Sequence, residues 1–170
     1  DIINYSSMIL DKCITLPDGT SWPSNFEGDY GSGGYIPAWY AVQQSKNTTA
    51  VRMAQVLGID TCFNFLTDKL NVTTLDYTYD KAYSPIALGQ LTQGMTLMEL
   101  AGAYQIFGSG GVYYEPKLYN LITDYNDKTV IEQEPLGDRV MESDSAYITN
   151  RLLKAVTDLS LIHISEPTRH

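Results

Sequence analysis

Three consecutive residues, Ser45-Lys46-Asn47, combine side chains that can do chemistry together. A serine hydroxyl both donates and accepts, so Ser45 can pass a proton between two amines. An asparagine amide carries two donors and an acceptor at fixed geometry, so Asn47 can hold a lysine and a peptide carbonyl at once. Lys46, in the variable middle place, is expected to point to solvent and to play no catalytic part. The triplet is short enough to arise by chance, and it equally describes a helix C-terminus whose Asn accepts a left-handed turn.

Other constellations offer less. Cys13 and Cys62 form no CxxC or zinc spacing, and His163 and His170 are the only histidines, so neither a metal nor another cofactor is expected. Gly31-Ser32-Gly33-Gly34 and Gly108-Ser109-Gly110-Gly111 are not GxSxG elbows, and no phosphate loop is present. Three sequons, at Asn4, Asn47 and Asn71, matter only in a eukaryotic secretory context. Many carboxylates are available, but no pair stands out as a glycosidase dyad.

The elements that must position Ser45 and Asn47 follow from turn signals and periodicity. Residues 1–35 are dense in Pro, Gly, Asn and Asp and predict a loop-rich lead-in. Pro37 suits the first helical position of a helix over 38–44, with Trp39 and Val42 on one side. Thr48 or Thr49 is expected to cap a helix to Leu57 that uses Ala50, Val51, Ala54 and Leu57 and stops at Gly58. Asp60 then caps a third helix to about Leu70, and 71–83 reads as loop. Ser84-Pro85 begins a short helical turn that ends near Gly89.

Thr96-Leu97-Met98-Glu99 matches a capping box, where hydroxyl and carboxylate each serve an otherwise orphaned amide. The helix it opens should present Leu97, Leu100, Ala101, Tyr104 and Phe107 on one face and end at Gly108. Ala101, Gly102 and Ala103 would let a neighbour approach closely. Segments 117–123 and 129–131 around Asp124-Tyr125-Asn126-Asp127 predict a β-hairpin. A last helix runs from Ser143 to Thr157 with Ile148, Leu152 and Val156 inward. Residues 159–170 share no pattern with what precedes them, resemble translated adapter read-through, and are expected to pack poorly.

Charge bounds the partners. With 20 acidic and 11 basic residues the chain carries −9, which argues against a nucleic-acid groove or an anionic membrane surface. No stretch reaches the roughly 18 apolar residues of a membrane span.

The run Ala41-Val42-Gln43-Gln44-Ser45-Lys46-Asn47-Thr48-Thr49-Ala50-Val51 resembles the Ser-x-Asn segment of class A penicillin-binding proteins. Later landmarks follow in order: Pro85 to Gln90, Met95 to Phe107, Gly110 to Pro116, Arg139-Val140-Met141 and the helix near 145–156. The resemblance covers about residues 10–158 and implies an α+β fold. It would be a mostly helical subdomain of the penicillin-binding and serine β-lactamase-like transpeptidase fold, with a small hairpin and the central sheet largely missing. Residues 1–158 would be a partial transpeptidase domain and 159–170 a non-native tail.

The family's chemistry uses Ser-x-x-Lys, Ser-x-Asn and Lys-Thr-Gly, and only the middle motif stands here. Lys128-Thr129-Val130 lacks the glycine. The nucleophile is therefore expected upstream of Asp1 and the Lys-Thr-Gly downstream, leaving this chain alone inactive. The resemblance implies a D,D-transpeptidase acting on D-Ala-D-Ala stem peptides of peptidoglycan and acylated by β-lactam antibiotics, with Ser45 and Asn47 as catalytic and substrate-binding residues. It also implies a glycosyltransferase domain, an N-terminal membrane anchor and a place on the extracytoplasmic face of the bacterial membrane. A D,D-carboxypeptidase or β-lactamase-like serine hydrolase is the nearer alternative, and a non-catalytic cell-wall binding domain the more distant one.

Overall fold

The capping box folds as the sequence dictates. In the computed structural model, which describes residues 3–134 and 136–164 with side chains to residue 158, helix α5 spans Leu97–Gly108. The Thr96 side chain accepts from the Glu99 amide, and the Glu99 carboxylate accepts from the Thr96 amide at 2.8 Å. Glu99 also accepts from the Thr73 amide at 2.6 Å and from the Thr73 and Thr74 hydroxyls, so it ties the 71–75 segment to the helix.

The buried face of α5 is not the one that large apolar residues suggest. Leu97 is 85% exposed, and Leu100, Ala101 and Tyr104 are exposed too, whereas Gly102 and Ile106 are buried. Close approach decides the orientation: a Cβ on Gly102 would lie 2.7 Å from Pro116 Cγ, so the small residue lets the 113–116 segment press on the helix backbone. Ile106 then joins Leu70, Val72 and Tyr113 in the main core cluster, ringed by Phe65, Leu66, Leu75, Met95, Phe107 and Met141.

Around α5, strand β5 (Val112–Tyr114) pairs antiparallel with β8 (Gly137–Arg139). Between them β6 (Leu121–Thr123) and β7 (Thr129–Glu132) form the expected hairpin, fully exposed, with Asp127 at φ 60 in its turn. Helix α6 runs over Ser143–Ile164, seven residues past the expected stop, because no Gly or Pro interrupts 158–164 and helix propagation adds one bond per residue fixed. Among its described side chains Ala146 and Ala155 are buried, with Ile148, Leu152 and Val156 half-buried. The reading of the tail as poorly packed falls on side chains outside the described residues.

The lead-in is more ordered than its turn density suggests. Strand β1 (Met8–Leu10) pairs with β4 (Tyr35–Pro37), and β2 (Ile14–Thr15) with β3 (Ser21–Trp22). Among the described residues every sheet is a two-stranded ribbon, and the lead-in strands, two or three residues long, are too short to display a period of two. Helix α1 (Ala38–Gln43) follows β4 with Pro37 as its N-cap, and buries Ala38 and Ala41 in place of Trp39 and Val42. The Gln43 amide donates to the Ala155 carbonyl at 3.0 Å, joining α1 to α6.

Helix α2 (Asn47–Leu57) ends at Gly58, φ 83, as expected, but Thr48 and Thr49 lie inside it and its N-cap, Lys46, makes no side-chain cap. Leu57 is exposed, and the buried side is Thr48, Thr49, Val51 and Ala54. Helix α3 covers only Ile59–Asn64, capped by Gly58 and not by Asp60, and continues as a π-helical turn over Phe65–Lys69. Helix α4 (Tyr83–Leu88) stops at Gly89, φ 72, and packs on α2.

Candidate active-site segment

Ser45 sits between α1 and α2 in a conformation that serine seldom adopts. Its φ is 50, so it is Ser45 and not Asn47 that takes the left-handed turn, and Asn47 opens α2. Two backbone bonds fix the reversal: the Ser45 amide donates to Val42 O at 3.0 Å and the Lys46 amide to Ala41 O at 3.0 Å. A non-glycine residue held there stores about 1–2 kcal/mol of strain.

The Ser45 side chain is exposed, and among the described residues nothing hydrogen-bonds its hydroxyl. Asn47 is half-buried, and its Nδ2 donates to Ser24 O at 2.9 Å. One amide hydrogen and Oδ1 of Asn47 remain for other partners. Both residues line an open cleft of about 440 Å³, which Ala87 and Leu88 of α4 and the following Gly89 also line. On this cleft Ser45 is unengaged and Asn47 is partly engaged.

Lys46 departs from expectation. Only 14% of its side chain is exposed, and Nζ lies 3.4 Å from Glu27 Oε2 and 3.7 Å from Asp29 Oδ2. Burial pulls its ammonium pKa down, but the Glu27 hydrogen bond and the charges of Asp29, Glu27 and Asp11 outweigh that and hold it above the ordinary value. A lysine at a helix N-terminus opposes the helix dipole, and these acids offset the conflict.

Behind the triplet lies a polar network that motif reading missed. The Thr48 hydroxyl donates to Asp11 Oδ1 at 2.6 Å, and Asp11 Oδ2 accepts from the Ser32 amide at 2.9 Å. Asn25 Oδ1 accepts from the Thr48 amide at 3.3 Å, capping α2 from 23 residues away, while Asn25 Nδ2 donates to Asp29 Oδ1 at 2.8 Å. Burial raises the Asp11 carboxyl, but the Thr48 and Ser32 hydrogen bonds and the Lys46 charge together keep it below its usual range. Asn25 and Asp29 stand among turn formers, so no local signal separates them from their neighbours.

Chemically, the arrangement offers one free hydroxyl and one oriented amide on a cleft, backed by a rigid charged scaffold. Among the described residues no cluster of His, Cys, Asp and Glu suits a metal ion, and no helix is long and apolar enough to cross a membrane. Cys13 and Cys62 are free and half-buried.

Comparison with known proteins fits this geometry. The penicillin binding protein transpeptidase domain, as a family model, matches residues 9–160. Penicillin-binding protein 1A of Clostridium novyi is 33% identical over 146 residues, 85% of this chain and 16% of that protein. Penicillin-binding protein 1F of Bacillus subtilis is 29% identical over 150 residues, 88% of this chain and 20% of that protein. The chain thus spans a fifth or less of the length of these two relatives.

Solved structures agree in fold. The penicillin G acyl-enzyme complex of penicillin-binding protein A from M. tuberculosis superposes with a TM-score of 0.73 at 14% identity, over 92% of this chain and 40% of that one. Penicillin-Binding Protein 1A from Haemophilus influenzae gives 0.68 at 21% identity, over 98% and 28%. The fold is thus the helical part of an α+β transpeptidase fold.

Proposed function

Because the chain belongs to the penicillin-binding protein transpeptidase domain family, we propose that it supplies the Ser-x-Asn motif of a class A D,D-transpeptidase that cross-links peptidoglycan stem peptides. The nucleophilic serine belongs to a Ser-x-x-Lys outside these 170 residues. Its oxygen attacks the carbonyl of the penultimate D-Ala, the peptide bond breaks, and the terminal D-Ala leaves as an amine with a proton relayed through Ser45. An acceptor amine then attacks the acyl-serine ester and frees the serine. Asn47 holds the substrate carbonyl through its unengaged amide hydrogen and the activating lysine through Oδ1. A β-lactam acylates the same serine. The intact protein carries a glycosyltransferase domain and is anchored on the extracytoplasmic face of the membrane.

The observation that carries this reading is the unengaged Ser45 hydroxyl beside the anchored Asn47 amide on a single cleft. The test is acylation of the full-length protein by a fluorescent penicillin, with stem-peptide products followed in parallel. Asn47→Ala removes one carbonyl contact and lowers the acylation rate about 10- to 100-fold while leaving the fold intact, the range set by stranding a buried polar partner. Acylation of that variant at the parent rate refutes the assignment. Cross-linked product identifies a transpeptidase, and hydrolysed product alone a carboxypeptidase. The 170-residue chain by itself takes up no label.

A further inference from the structure

Three successive side chains after the strained Ser45 reach back to the same lead-in segment: Lys46 to Glu27, Asn47 to Ser24 and Thr48 to Asp11 and Asn25. Such redundancy is what an unfavourable backbone conformation needs in order to persist. Asp11 is the most constrained of the anchors. It is 3% exposed; its amide donates to Gly34 O at 2.8 Å, its carbonyl accepts from Gly33 N at 2.9 Å, and its carboxylate spans Ser32 and Thr48. Gly31 is moulded to it, since a Cβ there would lie 2.5 Å from Asp11 O.

Resting on the site reading above, we propose that Asp11 is a positioning residue for the Ser-x-Asn motif, acting through the Thr48 hydroxyl to hold Ser45 at φ 50 and Asn47 on the cleft. The route is short, and its Asp11–Thr48 bond is buried. Asp11 is fixed by the Gly31–Gly34 turn, Thr48 is completely buried, and Thr48 directly follows Asn47 in the first turn of α2. Asn25 supplies a second strut to the same residue, accepting from both the amide and the hydroxyl of Thr48 at 3.3 Å. With the Thr48 hydroxyl gone, the first turn of α2 loses its bond to Asp11, and Ser45 can relax toward negative φ, swinging its hydroxyl away from the cleft.

The experiment measures, on the folded full-length protein, the acylation rate constant and the prior binding constant for a fluorescent penicillin separately. Thr48→Val keeps the volume and removes the hydroxyl, whereas Thr48→Ser keeps the hydroxyl. We expect Thr48→Val to slow acylation about 10- to 100-fold with binding little changed, the loss associated with misplacing a catalytic group by about 1 Å, and Thr48→Ser to recover the parent rate within about threefold.

A merely structural role would lower the amount of folded protein without changing the rate constant of the folded fraction. Parent-like acylation by Thr48→Val, or equal slowing by Thr48→Ser, overturns the proposal. If Thr48→Val does not fold, Thr48→Ala carries the test, because it also removes the hydroxyl that donates to Asp11 but sets no extra methyl against the Asp11 and Asn25 oxygens. An acylation rate constant lowered about threefold or more supports the role, and a smaller change overturns it. Asn47→Ala runs beside them: parent-like acylation there refutes the site reading itself, while a slow Asn47→Ala with a parent-like Thr48→Val refutes only this inference.

Discussion

Replacing Glu99 by Gln changes almost no volume but turns one of two acceptor oxygens into a donor. In the native arrangement Oε1 accepts from the Thr73 amide and hydroxyl, and Oε2 from the Thr96 amide and the Thr74 and Thr96 hydroxyls. Whichever end becomes NH2 then faces a backbone N–H, and one donor is stranded. Burial pushes the Glu99 carboxyl up, but the bonds from Thr73 and Thr96 outweigh it and bring its pKa from 4.5 to about 2. Fully shielded, that difference would be worth about 3 kcal/mol at neutral pH, at roughly 1.4 kcal/mol per tenfold change in proton affinity. The group is only half-buried, so about 1–2 kcal/mol is the expected share after solvent screening.

A lowered carboxylate pKa stabilises above the unfolded value of 4.5, and the contribution fades as pH falls toward 2. Native-state hydrogen exchange on the intact protein, read on peptides covering 71–75 and 96–108, measures this locally. Glu99→Gln should lower protection about 5- to 30-fold at pH 7, as 1–2 kcal/mol requires, and the gap to the parent should narrow steadily below about pH 4.5 after correction for intrinsic exchange. Equal protection at pH 7, or a gap that stays constant down to pH 3, would refute the reasoning.

Two further substitutions probe the scaffold. Gly31→Ala meets both a φ of 92 and the Asp11 carbonyl at 2.5 Å, so the intact protein should lose about 2–4 kcal/mol in that lobe, seen as faster exchange over 8–37. Ile106→Ala opens a cavity beside Leu70, Val72 and Tyr113, and a loss of about 2–5 kcal/mol should show as lower protection across α5 and β5. Parent-like exchange in either variant would contradict the packing described here.

What the sequence determined by itself lies within a few residues of chain. The Thr96 and Glu99 capping box, the Gly58 and Gly89 stops and the 121–132 hairpin all depend on partners close in sequence or on glycine's access to positive φ. Tertiary structure alone decided which face of α5 is buried, because Gly102 admits Pro116 and Tyr113 and turns the larger apolar face outward. It alone drew Lys46 into ion pairs in place of solvent. It also assembled Asp11, Asn25, Asp29 and Thr48, since bonds that join residues 23 and 37 positions apart leave no periodic or local trace in the chain. The Ser-x-Asn motif can be named from its letters, but the rigidity that would make it useful is built from loop residues whose only local signal is that they form turns.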